Sequence, residues 1–405
     1  MNIGGANTGR QDLREWLENI HEVYRHEFAS LIAHRAAMRV LPVYWMYASK
    51  AIKANRGEKV PAKCLHVLRA HLLCSLFGTT SDPKIELTAR RHLRKTASVN
   101  AYFMMKLASD AGSPGDEISS DIDCAGASAT SALSLAYGES TDIASTVIGT
   151  IGHYIAMDGG STDGLNDALL ANVIADCKEL DASGSLKGRP LWLVHTEATQ
   201  GIISNSWKEL KAGHSWNSPF WTDWYENVLE GREQDWEVIH EITLIPDEEW
   251  ERGPDHLDIV ISRIIEKYRL LREVQALRGE LAFCGQNERP TIGHNNPPQE
   301  IDEHTLRAIG TEAEIVWEAL GEAEGELSKL MPSASVLNKA GREILEAIKN
   351  ILAYGARLSN TALMSGAKAF GASTGTGMFI YLVDKGPEIQ ELAKRIIDFA
   401  QYWFR

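Results

Sequence analysis

One serine carries the literal spacing of a hydrolase nucleophile: Gly371-Ala372-Ser373-Thr374-Gly375 reads G-x-S-x-G. That chemistry needs a strand before the serine and a helix after it, so that the hydroxyl stands on a sharp turn. Here an Ala-rich, helix-like run precedes Ser373 and a β-like Met-Phe-Ile-Tyr-Leu-Val run follows, the reverse order. Asp121, Asp123, Cys124 and His153 have ligand chemistry, but their spacing matches no metal motif and solvated acids explain them. The run from Asp158 to Gly164 lacks the alternating acids and closing Glu of a calcium loop, so it reads as a helix-capping turn. Neither G-x-x-x-x-G-K-[ST] nor H-E-x-x-H nor a strand-coupled G-x-G-x-x-G occurs. No catalytic, cofactor-binding or metal-ligating residue is assigned, and no cofactor is expected.

Anion chemistry has better candidates. The chain holds 55 acids against 41 bases, a net charge of -14, but the distribution is uneven. Residues 1–110 carry 17 Lys/Arg and 9 Asp/Glu, whereas 11 acids and no base lie between Lys106 and Lys178. Within the basic head, Arg90, Arg91, Arg94 and Lys95 share an arc of roughly 140° on a helical wheel, opposite Ala89, Leu93, Ala97 and Met104. They form an anion-binding face, expected to be exposed because four cations buried without partners would be too costly. The nearest abundant acids belong to the same chain, so the head is expected to dock on the acid-only stretch from Asp110 to Asp176. Nucleic acid is the disfavoured partner. Few aromatic residues interleave with those cations, and the acidic body would repel a polyanion.

Stepping along the chain, every positioning element reads as helix. Leu13, Leu17, Ile20, Tyr24, Phe28, Leu31 and Ile32 recur at three and four, and Pro42 marks a break or kink. Residues 121–150 contain 18 Ala, Gly, Ser or Thr, suited to close helix packing or a spacer. Seven of eleven tryptophans lie between 192 and 250. A helix starting at Ser218-Pro219 and stopping at Gly231 puts Trp221, Trp224, Tyr225 and Val228 on one aromatic face. Such a stripe suits a core, and it also suits partner binding, since Trp and Tyr anchor interfaces. Short helices follow around Trp236 and from Pro246, then a long one with a seam of Leu257, Ile261, Ile264, Tyr268 and Leu271.

Phe220-Trp221-x-x-Trp224-Tyr225, Gly231, and Ile245-Pro246-x-x-x-Trp250-x-x-Gly253-Pro254 resemble an uncharacterised bacterial family common in alphaproteobacteria and named for a GHNNPPE motif. This chain has Gly293-His294-Asn295-Asn296-Pro297-Pro298, with Gln299 inserted before Glu300. Arg35 to Pro42 is similar to the family's opening, so the resemblance extends over about residues 28–300. It implies this architecture and supplies no catalytic residue. Physically, Pro297 steers Asn296 away from helix and the paired prolines favour an extended segment. His294, Asn295, Asn296, Pro297 and Pro298 are thus a candidate docking segment or a stiff linker.

Beyond it, Ile309, Val316, Leu320, Ala323, Leu327 and Leu330 repeat in heptad fashion, as do Leu337, Gly341, Ile344, Ile348, Ile351 and Gly355. An antiparallel hairpin or coiled coil follows, able to self-associate or take a protein partner. Residues 362–383 are long enough to span a bilayer, but their polar residues and glycines make a poor span; packed helix is preferred, with membrane contact as the alternative. Five irregularly placed cysteines without a C-x-x-C pair, and no apolar leader, fit a cytoplasmic protein, with a peripheral inner-membrane location as the variant.

At 405 residues the chain suits several domains. The reading is an all-α, multi-domain protein: 1–110 basic head, 111–185 small-residue acidic segment, 186–282 tryptophan-rich module, 283–303 linker and 304–405 hairpin. Its expected role is non-enzymatic interaction or regulation through the tryptophan-rich module and the linker. The alternatives are a membrane-acting effector that inserts its C-terminal hairpin, and nucleic-acid binding by the head.

Overall fold

The computed structural model describes residues 6–53, 60–77, 82–95, 132–133, 136, 165–196, 207, 219–286, 303–357 and 381–403. Among these every regular element is helical, as expected of an all-α chain. Two compact units result, Met1–Ile261 and Ser262–Arg405. The described residues up to 261 fall in the first unit, and those from 262 onward fall in the second.

The first unit contains α1 (Ala6–Asn19), α2 (Glu22–Lys53), α3 (Val60–Ser75), α4 (residues 83–95), α5 (Leu165–Ser183), α6 (Pro219–Glu230), α7 (Trp236–Thr243) and α8 (Asp247–Glu251). The long α9 (Pro254–Gln286) starts there and crosses the boundary. Of the break or kink expected at Pro42, the break does not occur: α2 continues through it to Lys53. The physical reason lies in a side chain. Proline removes the N–H that would serve the carbonyl four residues earlier, on Met38, and the buried Tyr225 hydroxyl donates to that carbonyl at 3.2 Å instead.

Several ends form as their residues dictate. Gly231 closes α6 at φ +70, and a Cβ there would lie 2.6 Å from the Arg189 carbonyl carbon, so only glycine fits. Asp82 accepts from the Lys84 N–H at 2.9 Å, capping α4 ahead of Pro83. Asp235 accepts from Val238 at the start of α7, and acids fill the first turn of α8, where the helix dipole favours them.

In the second unit, the latter part of α9 packs with α10 (Glu303–Leu327), α11 (Ala334–Arg357) and α12 (Gly386–Trp403) around one apolar core. The heptad positions Ile309, Val316, Leu320, Leu327, Leu337, Ile344, Ile348 and Ile351 are all buried in it. Leu330 is not; it sits 45% exposed on the turn between α10 and α11. A two-helix hairpin is too small a description, because α11 also lies against α12 along its length. The glycine pattern explains that approach: at Gly341 a Cβ would meet Ile397 Cγ1 at 2.7 Å. Residues 362–380, including Ser373, lie outside the described residues. Among the described residues no helix is long and apolar enough to cross a membrane.

Candidate functional site

The aromatic residues named as partner anchors are core. Trp221, Trp224 and Tyr225 are 1%, 2% and 1% exposed, which corrects the partner-binding reading of that face. Their rings pack edge to face, Trp221 against Phe220 at 4.9 Å and against Trp224 at 6.0 Å, and Tyr225 tilts against Trp207 at 4.7 Å. The five docking residues His294, Asn295, Asn296, Pro297 and Pro298 lie outside the described residues.

The basic face stands partly as expected. Arg91 and Arg94 are exposed, while Arg90 and Lys95 are half-buried. Arg90 pairs along its own helix with Glu86 at 3.0 Å. Lys95 pairs with Glu251, and Asp247 stands 4.0 Å away. The α4 cations thus meet Glu86, Glu251 and Asp247, none of which belongs to the stretch from Asp110 to Asp176. Of that stretch, Asp176 pairs with other cations of the head.

Those other cations are buried arginines. Arg35 and Arg39, one turn apart on α2, reach both oxygens of Asp176 on α5, at 3.1 and 2.6 Å. Asp176 closes the acid-only stretch and is fully buried. Two cations against one anion leave excess charge, and backbone carbonyls take it up: Arg35 donates to Arg189, Pro190 and Leu191, and Arg39 donates to Leu191. Burial still lowers the Arg39 guanidinium to about 10, with Arg35 adding to the drop and Asp176 opposing it. The loop they hold is pinned from its other side by Asn172. Its amide donates to Val194 and accepts from the Leu193 and Val194 N–H groups, each at 2.8–2.9 Å.

Arg69 on α3 makes the second clamp. It pairs with Asp247 at 2.6 Å, donates to the Ile245 carbonyl at 2.9 Å, and stacks 4.9 Å over Trp250. The head is thereby fixed to both ends of the α7–α8 turn.

Histidines fill the space between these clamps. His34 of α2 faces His71 of α3 at 5.7 Å between ring centroids, and His66 of α3 faces His92 of α4 at 5.6 Å. Desolvation holds all four below their ordinary value, His34 at about 4 with Arg35 as the next cause and His92 at about 3 with Arg69 next; Lys95 follows for His66 and His34 for His71. They are neutral packing groups at physiological pH. Burial also pushes the Cys74 and Cys177 thiols up, so neither is a thiolate. Among the described residues no group of three or more His, Cys, Asp or Glu could hold a metal ion.

The second unit carries an open cleft of about 440 Å³. Ser262, Arg263 and Glu266 line it from α9, and Arg395, Asp398, Phe399, Gln401 and Tyr402 from α12. Its charges divide into two kinds. Arg395 is held by Glu266 at 3.1 Å and by Glu273 at 2.7 and 3.1 Å. Arg263 instead stacks 4.7 Å from the Tyr402 ring and donates to the Trp403 carbonyl at 3.4 Å. Among the described residues neither Arg263 nor Asp398 has an oppositely charged partner.

The sequence reading missed the arginine clamps and this cleft. A signal for the first existed. Arg35 and Arg39 stand four apart in a stretch where Ala33, Ala36, Ala37, Met38 and Leu41 surround the helix with small or apolar residues, so both had to be buried and paired. The cleft had none, since charges at helical spacing on α9 and α12 look like an ordinary solvated face. No family model matches the chain, and no curated protein or solved structure matches it either.

Proposed function

We propose that the chain is a non-enzymatic helical interaction protein, in which the first unit is a rigid base and the segment His294–Pro298 is the docking element. The observation that carries this is how the first unit uses its chemically able groups. Arg35, Arg39, Arg69, Asp176 and Asp247 are engaged in buried clamps between segments, the four paired histidines are kept neutral, and the two buried thiols are kept protonated. A reaction centre needs groups poised near neutral pH and open to substrate. These groups are instead arranged for rigidity, as in a scaffold. The tryptophan-rich module then serves as the core of the base. For recognition an Asn-Pro-rich sequence is suited, because paired prolines restrict the backbone and leave less freedom to lose on binding.

The test compares the full chain with a variant in which His294, Asn295 and Asn296 are changed to Ala. Quantitative cross-linking in the native cytosol should give a defined partner that the variant loses, with unchanged circular dichroism. Identical cross-links in both proteins, or turnover in a metabolite panel by the purified chain, would overturn the reading.

A further inference from the structure

We propose that the cleft between α9 and α12 in the second unit binds a small zwitterion with an apolar side chain, the chemical class of the free apolar α-amino acids. The inference is separate from the docking segment and rests on the lining. At about 440 Å³ the cleft is of small-molecule size, the usual span being roughly 300–1,000 Å³. Its floor is apolar: Phe399 is buried and tilts against Trp403 at 5.0 Å, and the ring of Tyr402 forms one wall.

The charges select the ligand. Arg395 is already neutralised by Glu266 and Glu273 and acts as part of the wall. That leaves one cation and one anion unpaired among the described residues, Arg263 and Asp398, both facing the same space without pairing to each other. Tyr402 and the Trp403 carbonyl fix the Arg263 guanidinium through its ring face and Nη1, and Nη2 remains to donate. A planar, pre-oriented guanidinium is the natural reader of a carboxylate. Asp398, exposed at the rim, is the matching acceptor for an ammonium. A phosphate or dicarboxylate would be repelled by the unpaired Asp398, and a simple cation by the unpaired Arg263. A neutral apolar molecule would cover both unpaired charges and satisfy neither. Only a molecule of separated, balanced charges with an apolar body uses every group.

Isothermal titration of the full chain with L-phenylalanine and L-leucine tests this, alongside 3-phenylpropionate, which lacks the amine, and phenethylamine, which lacks the carboxylate. Saturable binding of the amino acids is expected, with each truncated analogue weaker by roughly tenfold or more, since each forfeits one charge-assisted hydrogen bond. Arg263→Gln should weaken phenylalanine by a similar factor. Asp398→Asn should erase the preference for phenylalanine over 3-phenylpropionate. Asp398 is exposed and Arg263 half-buried, and circular dichroism checks that the helices persist in both variants. Absence of saturable binding by titration and by ligand-observed NMR, or affinity unchanged in both variants, would overturn the proposal. Binding that emerges only after residues 404–405 are removed would also overturn it, by assigning the cleft to the chain's own terminus.

Discussion

The Tyr225 hydroxyl donates to the Met38 carbonyl at 3.2 Å, and Met38 is the residue whose carbonyl Pro42 deprives of its helical donor. An aromatic residue from α6 thus repairs the ladder of α2, some 187 positions away in sequence. Tyr225→Phe is expected to destabilise the first unit by about 1–3 kcal/mol, because the buried carbonyl is left unsatisfied. In a Pro42→Ala background the restored N–H can serve Met38, and the same change should cost little. A double-mutant cycle by urea unfolding measures the coupling; equal costs in both backgrounds would show that the hydroxyl does not compensate for the proline.

Asp176 faces two buried arginines, so its removal leaves two unneutralised charges in the core. Asp176→Ala should destabilise the first unit by about 3–5 kcal/mol, the scale for breaking a buried pair from one side. Asp176→Asn keeps acceptor geometry on one atom and should fall between that and the parent. Trp192, whose ring lies 5.8 Å from the Arg39 guanidinium, provides the fluorescence signal. A cost below about 1 kcal/mol for Asp176→Ala would mean that the carbonyls of the 189–191 loop suffice alone.

Much of the helical frame was legible because its cause is local. Pro219 as a start, Gly231 as a stop, and the seams of α10 and α11 follow from turn chemistry and apolar spacing, which a linear sequence displays. Pro42 left break and kink open because the group that serves the Met38 carbonyl, Tyr225, is remote. The aromatic stripe at Trp221, Trp224 and Tyr225 left core and interface open, since both bury aromatic area and only the three-dimensional neighbours distinguish them. The same holds for the basic helix. Its exposed side was readable from the wheel, yet the residues that fasten the head are arginines whose partners lie more than a hundred positions away. That Arg263 and Asp398 line one cleft depends wholly on how α9 meets α12.

Acid should loosen the first unit before the second. His34, His66, His71 and His92 have folded-state values below that of the unfolded chain, so their stabilisation is complete above about 6.5 and is lost as pH falls. For His34 the loss runs from about 6.5 down to about 4, and amounts to about 3 kcal/mol on the same scale. The facing charges deepen the effect: Arg35 beside His34, Lys95 and Arg69 beside His66 with Asp247 and Glu251 opposing, and Arg69 and His66 beside His92 with Asp247 opposing. Hydrogen exchange at pH 7, 5.5 and 4.5 should show protection falling in α2, α3 and α4 while α10 and α11 hold. Uniform loss across both units would refute the assignment, as would unchanged exchange in α2 through α4 at the lowest pH.

Charge reversal separates clamp from surface. Arg91→Glu with Arg94→Glu should change first-unit stability by no more than about 1 kcal/mol, because exposed cations contribute little singly. Lys95→Glu faces Glu251 and Asp247 and should be somewhat worse, though Lys95 and Glu251 are themselves exposed enough to be screened. Arg69→Ala, by contrast, strands Asp247 and empties the space over Trp250, with an expected loss of about 3 kcal/mol or more. Limited proteolysis ranks the three, and a filter-binding assay with DNA and RNA run alongside them reads any nucleic-acid function of the face. Salt-sensitive binding that only the Arg91/Arg94 variant loses would revive that function.

The helix crossing at Gly341 gives the sharpest steric test. Alanine is the better helix former by roughly 1 kcal/mol, so an exposed helical glycine should be improved by the change. Gly310 on α10 is such a position: it is exposed and has nothing within 4 Å of an added Cβ. Gly310→Ala should therefore stabilise the second unit by about 0.5–1 kcal/mol. Gly341→Ala should do the reverse, since its Cβ would lie 2.7 Å from Ile397 Cγ1 and 3.0 Å from the Ala393 carbonyl oxygen. Ile397 can change rotamer, but the carbonyl belongs to the backbone of α12 and moves only with the helix. Overpacking of this kind typically costs about 1–3 kcal/mol, which exceeds the gain in helix propensity. Shortening the partner with Ile397→Ala should recover part of the loss in the double variant and leave the carbonyl contact as the remainder. Thermal unfolding of the four proteins reads the signs directly: if Gly341→Ala stabilises as Gly310→Ala does, α11 and α12 do not approach as closely as this crossing requires.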